Sequence, residues 1–312
     1  MNRNIFLALK VLLFLLMSWF IINQLFLKND FKTQLTFCLQ HLRGDRFYLF
    51  VLALLLMPVN WGLETLKWKM LLKTQVPFIR LLQSVIAGIT VGFVTPGRTG
   101  EFIGRVMFLN DDNKSRIFYL SSIGGLAQTA ASLIIGVPFV FIWRNDPFIT
   151  EIVIGSAAVY LFAFFRFDLL NKFISSWPFL QRYGLIIEQG DLPQIKTQLW
   201  VLLLSFLRFG VYTIQYVLLL VFFGVGTNSI ALFTHSIVYL LAQTFSPLMP
   251  LLDFSYRGAT ALYVFNNISN NNVAILSTVM IVWLVNLVVP ALIGYLFILK
   301  RKAIRLPWVS MP

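Results

Sequence analysis

Six long runs of apolar residues set the terms for this chain. They cover 5–27, 47–66, 117–143, 148–165, 198–223 and 273–299. A helix needs about 20 mostly apolar residues to cross the hydrocarbon core of a bilayer. Inside lipid only helices and closed barrels satisfy their own backbone polar groups, so runs of this length predict membrane-spanning α-helices. Composition agrees. Of 312 residues, 58% are hydrophobic and only 12% charged, where a soluble domain carries about 25% charged residues. With a mean hydropathy of +0.80, there is too little polar surface to cover a globule in water. The first run follows a short basic stretch, exceeds a signal-peptide core and has no small-residue cleavage site after it, so it reads as an uncleaved anchor.

Two further apolar runs, 81–94 and 230–245, are too short to span. The first ends at TPGR and the second at SPLMP. Such lengths suit re-entrant or interfacial segments. The distribution of Lys and Arg orients the spans, because cytoplasmic loops carry the excess of positive charge. The tail KRKAIR, the loop 166–197, Lys114 with Arg116, and Lys67, Lys69, Lys73 and Arg80 all fall on one side, which is therefore cytoplasmic. Both termini lie on that side. The loop 28–46 disagrees, since it falls outside yet carries Lys28, Lys32, Arg43 and Arg46.

In this arrangement each half contains two spans, a re-entrant hairpin and a third span, with the hairpins entering from opposite faces. Pro96 and Pro250 are 154 positions apart, the spans starting at 47 and 198 are 151 apart, and those starting at 117 and 273 are 156 apart. A three-span unit repeated once is inverted relative to its partner, and inverted repeats meeting at broken helices are characteristic of transporters. The expected fold class is an all-α polytopic membrane protein. It has six transmembrane helices plus two re-entrant helical hairpins in an inverted repeat, with halves of approximately 1–145 and 146–312 in one domain. Within 166–197, apolar residues from Leu169 to Trp177 recur at helical spacing and suit an interfacial amphipathic helix or an elbow joining the halves.

Between the short run 81–94 and VMFL stands TPGRTGEFIGR, a charged, broken segment. Thr95 suits an N-cap and Pro96 a first helical position. A helix starting there would aim unpaired N–H groups at an anion. Arg98 adds a charge with the planar geometry that matches phosphate. Glu101 is three residues from Arg98 and four from Arg105, spacings that share a helix face. Gly97, Gly100 and Gly104 permit close backbone approach. The second break, SPLMPLLDFSYRGA, repeats the acid–arginine pair as Asp253 and Arg257. Arg208 falls within an apolar span, where an arginine must face a cavity or a partner. The bland alternative for all these charges is a set of internal salt bridges that fixes helix packing. Glu64 with Lys67 reads as a pair at a membrane boundary. Gln128, Thr129, Ser132, Gln215, Tyr216, Gln243 and Asn286 read as glue between helices, with cavity lining as the other option. Trp61, Trp68 and other tryptophans near span ends read as an interfacial belt.

The motif T-P-G-R-T-G-E followed by Arg105, with the block P-x-x-D-x-x-x-R-G at Pro250, Asp253, Arg257 and Gly258, resembles the flippase-like integral-membrane family. Its best-known member is the flippase portion of lysylphosphatidylglycerol synthases, the lysylphosphatidylglycerol synthase transmembrane region family. The resemblance runs over nearly the whole chain. It implies a multi-pass protein of the cell's inner (plasma) membrane that moves or binds lipids or lipid-linked intermediates. The chain departs from the family in having no room for the synthases' soluble transferase domain, and in carrying Tyr256-Arg257-Gly258 where the family pattern is glycine-rich with a glutamate.

The net charge of +13 fits cytoplasmic loops and anionic headgroups rather than nucleic acid. One cysteine, Cys38, and two distant histidines, His41 and His235, give no metal site, and no cofactor is expected. The favoured function is translocation or binding of an anionic phospholipid or polyprenyl-linked lipid, with Thr95, Pro96, Gly97, Arg98, Glu101, Arg105, Arg208, Asp253 and Arg257 as the substrate site. No GxxxxGK[ST] motif supplies ATP binding. A membrane scaffold or regulator is the second reading. An intramembrane enzyme using Glu101 and Asp253 as acid and base is the third, opposed by the absence of a nucleophile–base constellation.

Overall fold

The fold is known from a computed structural model. It describes residues 36–37, 39–42, 44–109, 114–144, 146–169, 172, 193–226, 228–246 and 253–300. Helices account for most of these residues, and no strand occurs among them. In chain order the helices are α1 (Phe47–Leu72), α2 (Phe78–Phe93), α3 (Glu101–Val106), α4 (Lys114–Arg144), α5 (Pro147–Phe165), α6 (Ile195–Phe222), α7 (Ser229–Thr244), α8 (Phe254–Phe265), α9 (Asn272–Trp283) and α10 (Val289–Lys300). A 3-10 turn at Pro96–Arg98 precedes α3, and a π turn at Leu284–Val288 joins α9 to α10. The protein is an all-α polytopic membrane protein. Among the described residues five helical segments are long and apolar enough to cross a membrane, namely Phe47–Leu72, Ser115–Arg144, Pro147–Phe165, Ile195–Phe222 and Asn272–Lys300. They correspond to five of the six expected spans. The sixth, at 5–27, lies outside the described residues, as do Pro247, Pro250, the tail KRKAIR after Lys300 and most of the expected helix in 166–197.

Helix ends follow local chemistry. Asp146 caps α5, its side chain accepting from the Phe148 and Ile149 N–H groups, with Pro147 at the first position. Asn228 and Asn271 cap α7 and α9 in the same way. These caps satisfy donors that a helix start otherwise leaves unpaired. The π turn ends at Val288, two positions before Pro290. A proline has no N–H for the helical ladder, and the wider turn takes up that break within a continuous span. Apolar side chains exposed on the outside, such as Ile142, Phe148, Val159 and Phe162, form the surface that hydrocarbon covers.

The packing has a twofold pattern. α1 and α6, the long helices that precede the short helices α2 and α7, cross antiparallel. Gln215 donates to the Ala53 carbonyl, Arg208 to the Asn60 side chain and Arg46 to the Val221 carbonyl, so positions rise on one helix as they fall on the other. The last long helix of each half then receives the short helix of the other: α4 packs on α7, and α10 on α2. Each of these contacts is made at a glycine. A Cβ on Gly136 would stand 2.6 Å from Leu241 Cδ2, and one on Gly294 would stand 2.2 Å from Thr90 Oγ1 and 2.5 Å from the Ile86 carbonyl. Thr90 also donates to the Ala291 carbonyl at 2.9 Å. Short helices α2 and α7 are the same length, 16 residues each, and each is followed by a break and a still shorter helix.

Candidate functional site

Asn60, Glu64 and Lys67 recur at spacings of four and three, which places them on one face of α1. That face is turned inward. Asn60 is 1% exposed, Glu64 5% and Lys67 2%. The boundary reading of Glu64 and Lys67 is therefore wrong. α1 continues through Leu72, past the predicted end at 66, and carries both residues into the core. Glu64 Oε1 meets Arg105 Nη2 at 2.7 Å, and Oε2 meets Lys67 Nζ at 2.7 Å and Arg208 Nη1 at 2.5 Å. One carboxylate thus gathers cations from α1, α3 and α6. Lys67 Nζ donates further to the Gly124 carbonyl of α4 at 3.2 Å, and Arg208 Nε to Asn60 Oδ1 at 2.5 Å. Removing an ion from water costs several kcal/mol unless pairing and hydrogen bonds offset it, and here every member is paired. Trp68, expected in an interfacial belt, is fully buried and lies under the Arg105 guanidinium at 4.7 Å.

The first break departs from its predicted form. The α-helix starts at Glu101 with Gly100 as its N-cap residue, not at Pro96. Thr95 is not an N-cap of the expected kind. Its Oγ1 accepts from the Gly100 N–H at 2.8 Å and donates back to carbonyls of α2, at Val91 and Gly92. Gly97 and Arg98 both have positive φ, 54° and 59°. Nothing lies within 4 Å of a Cβ on Gly97, so that glycine serves the turn and not the close approach expected of it. Close approach is made by Gly104, where a Cβ would stand 2.2 Å from the Ala87 carbonyl. A left-handed arginine costs about 1–3 kcal/mol and persists only when its surroundings hold it. Arg98 Nε is held by Glu101 Oε1 at 2.5 Å, with the arginine side chain still 38% exposed. Glu101 Oε2 reaches Arg105 Nη2 at 3.1 Å. The carboxylate thus restrains both arginines, as its spacing predicts.

The second break repeats the pair. Asp253 Oδ2 meets Arg257 Nη2 at 2.6 Å, and Ser246 Oγ donates to Asp253 Oδ1 at 2.7 Å. Glu101 with Arg105 and Asp253 with Arg257 stand 152 positions apart. The same step from Glu64 leads to Tyr216, which is buried against Tyr239 with ring centroids 5.0 Å apart. Arg105 accordingly has two carboxylate partners where Arg257 has one. Arg257 Nε is buried without a hydrogen-bond partner among the described residues.

These groups line one cavity of about 520 Å³, formed by residues of α1, α2, α4, α6, α7 and the two breaks. Arg98, Arg105, Arg208, Arg257 and Lys67 face Glu64, Glu101 and Asp253 in its lining, so cations outnumber carboxylates there by five to three. A second compartment of about 180 Å³ shares Arg98, Arg208 and Arg257 with it and extends toward α9 and the π turn. Of the predicted site residues, Gly97, Arg98, Glu101, Arg105, Arg208, Asp253 and Arg257 line the main cavity. Thr95 supports the turn behind it. Gln128 and Ser132 of the polar stripe also face the cavity. Gln215 and Asn286 bond to each other at 2.7 Å, as glue between helices predicts. Gln243 does not. Among the described residues both its amide atoms are buried without a partner, and it lines both compartments. Sequence reasoning missed Glu64, Lys67 and Asn60 as site residues; their spacing puts them on one helix face, but nothing in it says that this face turns inward. Among the described residues no three His, Cys, Asp or Glu side chains gather into a metal-binding group.

Comparison with protein-family models and with curated protein sequences finds no match to this chain.

Proposed function

We propose that the cavity receives the phosphate-bearing headgroup of an anionic phospholipid or lipid-linked intermediate, and that the protein moves this lipid between leaflets of the membrane. The observation that carries the reading is the surplus of fixed positive charge in a 520 Å³ cavity between apolar helices. Charges at such depth are costly and mark substrate pathways by default. Arginine keeps its charge at any accessible pH and binds phosphate through two parallel hydrogen bonds. Arg98, still partly exposed and strained, and Arg257, with one carboxylate partner among the described residues, are the arms that engage the headgroup. Arg105, Arg208 and Lys67 are committed to Glu64 and set the local field.

The twofold packing supports alternating access. Two broken elements bring acid–arginine pairs to one cavity, and antiparallel α1 and α6 agree with opposed halves. The likeness of TPGRTGE and of the Asp253–Arg257 block to the flippase-like family supports the same reading, with the inner membrane as the site of action and both termini in the cytoplasm. The test is reconstitution of purified protein into liposomes carrying a leaflet-reportable anionic lipid. Protein-dependent translocation, lost in Arg257→Gln, is the expected result. Lipid binding without translocation would instead favour a scaffold or regulator of another membrane enzyme.

A further inference from the structure

The smaller compartment differs in chemistry from the main cavity. Arg98, Arg208 and Arg257 stand on its border with the larger one, and beyond them its wall mixes aromatic and amide side chains with aliphatic ones such as Leu240, Val282 and Leu287. Tyr212, Tyr216 and Trp283 supply rings, and Gln243 and Asn286 supply carboxamides. No Asp or Glu is among its described lining residues. Three of its polar atoms have unmet bonding capacity. Gln243 Nε2 and Oε1 and Asn286 Oδ1 are each buried without a partner among the described residues. Most buried polar groups in folded proteins are hydrogen-bonded, so orphans beside a cavity point to a ligand that supplies the missing donors and acceptors.

A headgroup that extends past the phosphate into this space must satisfy a primary amide on both sides. It must also lie against aromatic rings and carry no positive charge of its own. An ammonium or aminoacyl group would meet three arginines and no carboxylate there. A plain acyl or glycerol group would leave Gln243 unsatisfied or the rings uncovered. A pyranose meets all the conditions: its hydroxyls both donate and accept, and its C–H face packs flat on an aromatic ring. The π turn places Trp283, Asn286 and Leu287 on this wall, and π turns recur at functional sites.

We infer that the substrate is a lipid-linked glycosyl phosphate. Its phosphate sits on Arg98 and Arg257, and its sugar enters the compartment bounded by Gln243, Asn286, Tyr212, Tyr216 and Trp283. This inference rests on the phosphate-binding reading above. A site built to hydrogen-bond hydroxyls discriminates strongly against an analogue that lacks them, because its own polar groups are then left unpaired.

The test compares two singly charged phosphodiesters of one short polyprenol, a polyprenyl phosphoryl-hexose and a polyprenyl methyl phosphate. Binding is measured to purified protein in nanodiscs of zwitterionic lipid. The hexose form is expected to bind about tenfold tighter or better, the equivalent of one or two well-made hydrogen bonds. Gln243→Leu is expected to remove most of that ratio, and Arg98→Gln to weaken both ligands. Equal wild-type affinity for the two, with Arg98→Gln still weakening both, would overturn the sugar assignment and leave the phosphate reading standing. Binding of neither lipid would remove both. Tighter binding of an aminoacylated phosphatidylglycerol than of the hexose lipid would overturn the assignment. So would equally tight binding of free glucose 1-phosphate, which would make the ligand a soluble sugar phosphate.

Discussion

Arg208 and Glu64 stand 144 positions apart in sequence, yet Arg208 Nη1 and Glu64 Oε2 are 2.5 Å apart in the core. This contact joins α1 and α6 at their antiparallel crossing. Glu64 also holds Lys67 and Arg105, so it serves as the common counter-ion for three helices. Removing one partner of a buried pair leaves the other charge uncompensated, at a cost of about 3–5 kcal/mol. Glu64→Gln keeps the shape and removes the charge. It is expected to lower unfolding stability in detergent by that amount, and Glu64→Gln with Arg208→Gln should cost less than the two single changes added together. An unchanged unfolding midpoint in Glu64→Gln would contradict this role.

The glycine contacts give a graded expectation. A Cβ on Gly294 would meet backbone at Ile86, whereas one on Gly136 would meet only the flexible end of Leu241. Overpacking typically costs about 1–3 kcal/mol, and backbone yields less than a leucine tip. Gly294→Ala should therefore destabilise toward the upper end of that range and Gly136→Ala toward the lower end. Thermal unfolding of the two purified variants checks the order. The reverse order would mean that α2 and α10 are less tightly apposed than the geometry says.

Much of this was legible from the residues. The five described spans announce themselves by length, because hydrocarbon forces a helix to be long and continuously apolar. The pairs Glu101–Arg105 and Asp253–Arg257 could be read from spacing alone, since four residues bring side chains together on any helix. The Glu64 cluster was hidden by its neighbours. Lys67 and Lys69 lie at what looks like the cytoplasmic end of a span, but a step of two residues turns them to different faces. Lys69 is exposed and Lys67 is buried. The turn at Gly97 and Arg98 was hidden for another reason. Thr-Pro suits a helix start, but Thr95 instead bridges α2 to Gly100 and the chain passes through two left-handed residues first. Only tertiary contact distinguishes these outcomes.

Topology makes a separate expectation. The Lys and Arg distribution places the two broken segments on opposite faces. In a Cys38→Ser background, cysteines introduced at Asn113 and Asn267 should be labelled by a membrane-impermeant reagent from opposite sides. Labelling of both from the same side would rule out the inverted arrangement.

Glu101 links Arg98 to Arg105, at 2.5 and 3.1 Å. Glu101→Gln should leave the fold in place while loosening Arg98, so translocation falls while the protein remains folded. Normal expression, normal thermal stability and full transport together would remove Glu101 from the site.

The central claim is that Arg98 and Arg257 bind a lipid phosphate. Its most direct test is the affinity of folded, purified Arg98→Gln and Arg257→Gln proteins for an anionic lipid, beside the wild type. Loss of a charged hydrogen-bonding partner is worth about 1.5–3 kcal/mol, roughly ten- to over a hundredfold in affinity. Each variant is expected to weaken binding within that range. Arg98→Lys should fall between Arg98→Gln and the wild type, because it keeps the charge and loses the planar fork. Wild-type affinity in both glutamine variants would contradict the account and make the two arginines structural.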